Sequence, residues 1–129
     1  MNKYRDKSDF EINKAVADFY LTREYRFNSA DKIVELMDID LSCEFGGEIN
    51  LKDKYVTGTF DPCNNPADAM PIVIENKISL RAPSITDRWK AEFVDEYGNY
   101  VGYLRALNKN PLRAAMELFL LMKDAENEK

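Results

Sequence analysis

The segment Asp61-Pro62-Cys63-Asn64-Asn65-Pro66-Ala67-Asp68 gathers a thiol, two carboxylates and two carboxamides on one short stretch. One reading makes it a recognition loop that presents Asp61, Cys63 and Asn64. The plainer reading is turn chemistry: Asp and Asn side chains close Asx-turns, Asn65 caps a helix, and Pro66 takes that helix's first position. Both readings draw on the same residue types, and the turn account is the simpler. Nucleophilic use of Cys63 would require an exposed thiol beside a cation that lowers its pKa. A second pair of note is Arg113 and Glu117, four apart in an otherwise apolar stretch, on a helical strip that continues into Leu120 and Leu121. Asp61, Cys63, Asn64, Asn65, Asp68, Arg113, Glu117, Leu120 and Leu121 are therefore the candidate binding residues, and no catalytic residue is expected.

Most familiar chemistries lack their parts. Histidine is absent, which removes Ser-His-Asp and Cys-His catalysis and His-based zinc sites. Cys43 and Cys63 stand twenty positions apart without a C-x-x-C, so neither metal nor disulfide is expected and both read as small buried hydrophobes. Asp38 and Asp40, Asp61 and Asp68, and Asp87, Asp95 and Glu96 form no Asp-x-Asp-x-Asp loop, so no metal or other cofactor is expected. The glycines make no phosphate cradle, and Gly98-x-x-x-Gly102 falls in a hairpin pattern, not a strand-to-helix turn.

At 129 residues the chain has the size of one domain, read here as 1–129 with a charged, frayed tail at 123–129. Lys plus Arg number 18 against 23 Asp plus Glu, a net charge of −5, and 45% of residues are apolar. Such a skin does not suit phosphate binding, which needs clustered Lys and Arg. Basic residues mix with aromatics at 20–27 and 88–90, but a nucleic-acid surface would need Arg23, Arg26, Arg81, Arg88 and Arg105 on one face. The N-terminus runs straight into charges, and the longest apolar runs are five residues, 70–74 and 118–122. A spanning helix needs about 20, so no membrane contact is expected and the compartment expected is the cytoplasm.

The elements that must position these residues follow from periodicity. Ser8-x-x-Glu11 is a capping box opening a helix over 8–21. Asn28-Ser29-Ala30-Asp31 reads as the cap of a second helix, 29–37, and 66–75 and 111–124 as two more. Pro71 predicts a kink or a 3₁₀ segment in the third. Strands are expected at 39–45, 78–81, 89–94 and 100–107, with shorter β candidates at 48–51 and 55–60. Trp89, Ala91 and Phe93 alternate toward the core. Asn28-x-Ala30-Asp31 matches Asn65-x-Ala67-Asp68, and Ile39-x-Leu41 matches Ile78-x-Leu80, the mark of a duplicated helix–strand unit or of shared turn grammar. The fold class expected is α+β: an antiparallel-rich sheet of four to five strands packed with four helices in one compact domain.

The string 60–72, Phe-Asp-Pro-Cys-Asn-Asn-Pro-Ala-Asp-Ala-Met-Pro-Ile, followed by Glu75-Asn76-Lys77-Ile78-Ser79, resembles the middle of the NinX proteins. These are small proteins of unknown function encoded by lambdoid temperate phages and prophages. Ser8–Lys14 and Asn110–Met116 fit as well, so the resemblance spans nearly the whole chain; 46–55 and 82–87 lie outside the family pattern. Met70 stands where family members often carry an aromatic. A weaker likeness is to phage α/β sandwich domains. The family's gene setting, among recombination and late-regulation genes, implies an accessory role in phage growth, placed in the host cytoplasm, and assigns no chemistry.

The expected function is therefore a non-enzymatic phage accessory that acts through contacts with a protein partner. A nucleic-acid-associated accessory of recombination or late regulation is the alternative. The helix 111–124 is apolar almost all round, so either the chain itself or a second copy must cover it. A homodimer through that helix is the second of those two expectations.

Overall fold

The computed structural model describes residues 2–39, 54–84, 86–93 and 104–127. In chain order these form α1 (Asp9–Tyr20), β1 (Tyr25–Asn28), β2 (Ile33–Ile39), β3 (Lys54–Phe60), α2 (Pro66–Glu75), β4 (Ser79–Arg81), β5 (Trp89–Phe93), β6 (Leu104–Asn108) and α3 (Pro111–Asn127). The class is α+β, as the alternation predicts, with three helices where four were expected. The strands make two three-stranded antiparallel sheets, β1-β2-β3 and β4-β5-β6, where one larger sheet was expected. Cys43, most of the strand expected at 39–45, the β candidate at 48–51 and the turn at 95–99 lie outside the described residues.

The helix expected at 29–37 is a hairpin. Tyr25↔Leu36 and Asn28↔Ile33 bracket a four-residue connection, in which Asn28 Oδ1 accepts the Asp31 N–H at 3.1 Å and Lys32 is left-handed at φ 56°. An Asx side chain bonded a few residues onward is both a helix cap and a turn closure. The residues after it decide which: Ile33 and Val34 are β-branched and pack well on a pleated sheet. The two Asn-x-Ala-Asp strings thus do different work, one closing a hairpin and one capping a helix, and the duplicated-unit reading fails with them.

In the first sheet the register slips between Leu36 and Met37, because Leu36 faces Gly58 while Met37 faces Val56. Thr57 is the extra residue of this bulge. Its hydroxyl donates to the Leu36 carbonyl at 3.3 Å and accepts from Arg23, which also donates to the Met37 carbonyl.

α2 covers the expected 66–75. Asn65 caps it by accepting the Ala67 N–H at 3.0 Å, and Pro66 stands at its start. The helix continues as α-helix through Pro71, without the expected 3₁₀ segment. At its far end Ile78 N–H reaches the Val73 carbonyl and Lys77 N–H the Ile74 carbonyl. That is a Schellman closure with Lys77, φ 56°, in the place glycine favours.

α3 is the centre of the molecule. It packs on β5 and β6 and against α1 and α2, while α1 also lies on β2. Residues 113–120 are all buried. Ala91 and Ala106 face each other across β5 and β6, both buried, and α3 brings Ala114 and Ala115. Small residues on both surfaces let helix and sheet approach closely, and Met116, Leu118, Phe119 and Leu120 fill the space around them. Tyr20 meets the Phe119 ring edge-on at 6.5 Å between centroids. The strip that raised the homodimer reading is thus covered by the chain's own elements through Leu120, while Leu121 is half-buried. The tail expected to fray is helical through Asn127, and Asp124 is tied to Tyr4 and Lys3.

Candidate functional site

The 61–68 loop and the Arg113–Glu117 pair, found separately in the sequence, meet in one hydrogen-bonded network. Asp61 Oδ1 accepts from Asn13 Nδ2 at 2.7 Å, and Asp61 N–H donates to Asp68 at 2.9 Å. Cys63 N–H donates to Asn13 Oδ1, and its carbonyl accepts from Asn110 Nδ2 at 2.6 Å. Asn64 bonds both Asp61 and Asp9. Asp9 then accepts from Arg113 at 2.6 Å, joining the loop to α3.

Arg113 is buried and its donors are taken up on several sides. Nε meets Glu117 at 2.8 Å, one terminal nitrogen meets Asp9, and the other meets the carbonyls of Tyr4 and Lys7. Those two carbonyls hold the N-terminal turns onto α3. Glu117 is fully buried and also accepts from Asn2 at 2.7 Å and Asn108 at 3.4 Å. Burial alone would lower the Arg113 pKa, but the bonds from Asp9 and Glu117 outweigh it and the net shift is upward. Among the described residues no buried side-chain nitrogen or oxygen lacks a partner. The buried part of the network is therefore satisfied by its own members.

Cys63 is fully buried, and its sulfur lies 3.9 Å from the Asp9 carbonyl oxygen. Desolvation pushes its thiol pKa well up, helped by the Asp9 charge and opposed by Arg113. The thiolate needed for nucleophilic attack is disfavoured there. Asp9, Asn13 and Asn110, with the Asn2 and Asn108 that donate to Glu117, are the members that sequence reasoning missed. Asp9 and Asn110 were legible only as helix-start residues, and Asn13, four after Asp9 on α1, carried no signal beyond its place on one helix face. A cavity of about 120 Å³ beside the network is lined by Asp9, Asn13, Lys32, Asp61 and Asn64 among others. No group of three or more Cys, Asp or Glu among the described residues is placed to hold a metal ion.

Leu120 is fully buried, and Leu121 is half-buried. The five arginines named for a nucleic-acid face divide between the sheets. Arg23 serves the bulge, Arg26 pairs with Glu35 at 2.6 Å and Arg81 with Glu92 at 3.1 Å. Arg88 and Arg105 line a separate cleft with Arg5. No described helix is long and apolar enough to cross a membrane.

Among the described residues, fold and network together define an α+β protein of two small antiparallel sheets, packed with three helices and tied through the buried Arg113. A family model described as Bacteriophage P22, NinX matches residues 3–123, and the chain belongs to that family. No curated protein and no solved structure matches it.

Proposed function

We propose that the chain is a non-enzymatic accessory protein of phage growth that acts through protein contacts. The observation that supports this most is the fate of its potentially reactive groups. Cys63, Asp61, Arg113 and Glu117 are held by bonds that join α1, the 61–68 loop and α3, which is architecture and not a reaction centre. α2 meanwhile presents Met70, 38% exposed, and Ile74, 69% exposed, one helical turn apart. A large aliphatic side chain that open to water suits a surface that a partner covers.

The test is affinity capture from phage-infected cells, using the chain beside its Ile74→Asp variant, with circular dichroism confirming that both fold. A phage or host protein retained by the first and lost by the second supports the reading. Capture of no protein, together with DNA binding by the purified chain at physiological salt, reverses it in favour of a nucleic-acid accessory.

A further inference from the structure

We propose that the cleft between the N-terminal segment, β6 and α3 binds a phosphate-bearing ligand of nucleotide type. Its volume is about 440 Å³, and Arg5, Arg88 and Arg105 line it from three separate parts of the chain. None of the three has a side-chain ion pair or hydrogen bond among the described residues, although the chain carries a net charge of −5. Two neighbouring carboxylates are engaged by other cations. Asp87, next to Arg88 in sequence, meets Lys109 at 3.3 Å, and Glu92, directly across the ladder from Arg105, meets Arg81. Among the described residues no carboxylate lines the cleft.

Three arginines that line one cleft concentrate positive charge there, which a multiply charged anion offsets. Arginine's planar fork matches phosphate oxygens two at a time, which a compact ammonium does not. The rest of the described lining is Asn2 and the apolar Leu104, Ala106, Leu107 and Leu121, with Leu107 39% exposed. A bare inorganic anion gains nothing from those apolar side chains. A phosphate carrying a base or sugar gains from both halves, since the leucines cover its apolar body while the arginines hold the charge. The phosphate can come from a free nucleotide or from a single strand of nucleic acid, and the cleft chemistry is the same for either.

Trp89, the chain's one tryptophan, follows Arg88 directly and supplies an intrinsic reporter. The purified full-length chain is titrated with inorganic phosphate, a nucleoside monophosphate and a short single-stranded oligonucleotide at near-physiological salt, followed by tryptophan fluorescence and calorimetry. The nucleotide is expected to bind at least tenfold more tightly than phosphate. Arg88→Ala and Arg105→Ala are each expected to weaken it about tenfold, while Arg26→Ala, on the other sheet, leaves it unchanged. An oligonucleotide affinity that exceeds the mononucleotide's and falls steeply with salt assigns the source to a nucleic-acid strand; equal affinities assign it to a free nucleotide. No binding of nucleotide or oligonucleotide overturns the proposal, and so does a loss in Arg26→Ala as large as in Arg88→Ala. All three substituted side chains are exposed, and circular dichroism verifies that each variant folds.

Discussion

Arg113 shows how far one side chain's surroundings change its worth. Read as an exposed i, i+4 pair with Glu117, it would contribute a few tenths of a kcal/mol. In the folded chain both partners are buried, and the guanidinium also serves Asp9 and the main-chain carbonyls of Tyr4, which accepts the Lys7 N–H as well, and of Lys7. Arg113→Ala removes the counter-charge of a fully buried carboxylate and the side-chain donor to the Lys7 carbonyl. Loss of one partner of a buried pair costs about 3–5 kcal/mol, comparable to the whole stability of a small domain. The expected outcome in urea unfolding followed by circular dichroism is a collapse of the midpoint or no folded baseline. Arg113→Lys is expected to recover only part, because an ammonium lacks the fork that reaches both sides. A midpoint for Arg113→Ala within about 1 kcal/mol of the parent would show that water replaces the arginine and that the network carries little.

At the scale of elements, ends proved harder to read than middles. The cap of α2 was legible because Asn65-Pro66 combines a side-chain acceptor with a residue that needs no N–H donor partner. The hairpin at 28–33 was not, because Asn28-x-x-Asp31 satisfies the same local rule, and only pairing with Tyr25–Asn28 makes the strand outcome the better one. Strand content in the second sheet was legible from alternation. The split into two sheets was not, since register belongs to partners distant in sequence and not to any one segment. The candidate site follows the same logic: loop and pair were visible, but Asp9 and Asn110 join them only after α1 and α3 have packed. Lys77 gives this scale its prediction. A lysine held left-handed at the C-terminus of α2 is strained relative to glycine, which populates that region freely. Lys77→Gly is expected to raise stability by about 0.5–1 kcal/mol, measured as the urea midpoint, and Lys77→Val to lower it by more. A fall in Lys77→Gly would mean that the lysine side chain contributes more than its backbone costs.

For the molecule as a whole, the titrating groups divide the pH axis unevenly. With no histidine, no side chain has its ordinary pKa between the carboxylates and the cysteines, so stability has little reason to change from pH 6 to 8. Above that range the described groups act in one direction. Burial raises the Tyr4 hydroxyl, which donates to Asp124 at 2.5 Å, and Asp124's bond and charge add to it. Burial, then the Glu75 charge, raises Tyr20; the bond to Asp18 chiefly raises Tyr25; and desolvation raises Cys63. In each case the folded chain keeps a proton that the unfolded chain surrenders near the ordinary values of 9.0 for Cys and 10.0 for Tyr. A raised folded pKa contributes stability in full below the unfolded value and loses it as pH climbs past that value. The urea midpoint is therefore expected to stay level to about pH 8.5 and to fall steadily between about pH 9 and 11. Tyr4 joins the N-terminal segment to the end of α3, and among the described tyrosines its phenol is shifted furthest, chiefly by burial. Tyr4→Phe is accordingly expected to be less stable at pH 7, through the lost bond to Asp124, yet to lose less between pH 9 and 11 than the parent chain. Parallel curves for parent and variant across that range would mean that the alkaline loss comes from breaking the lysine ion pairs and not from the buried phenol.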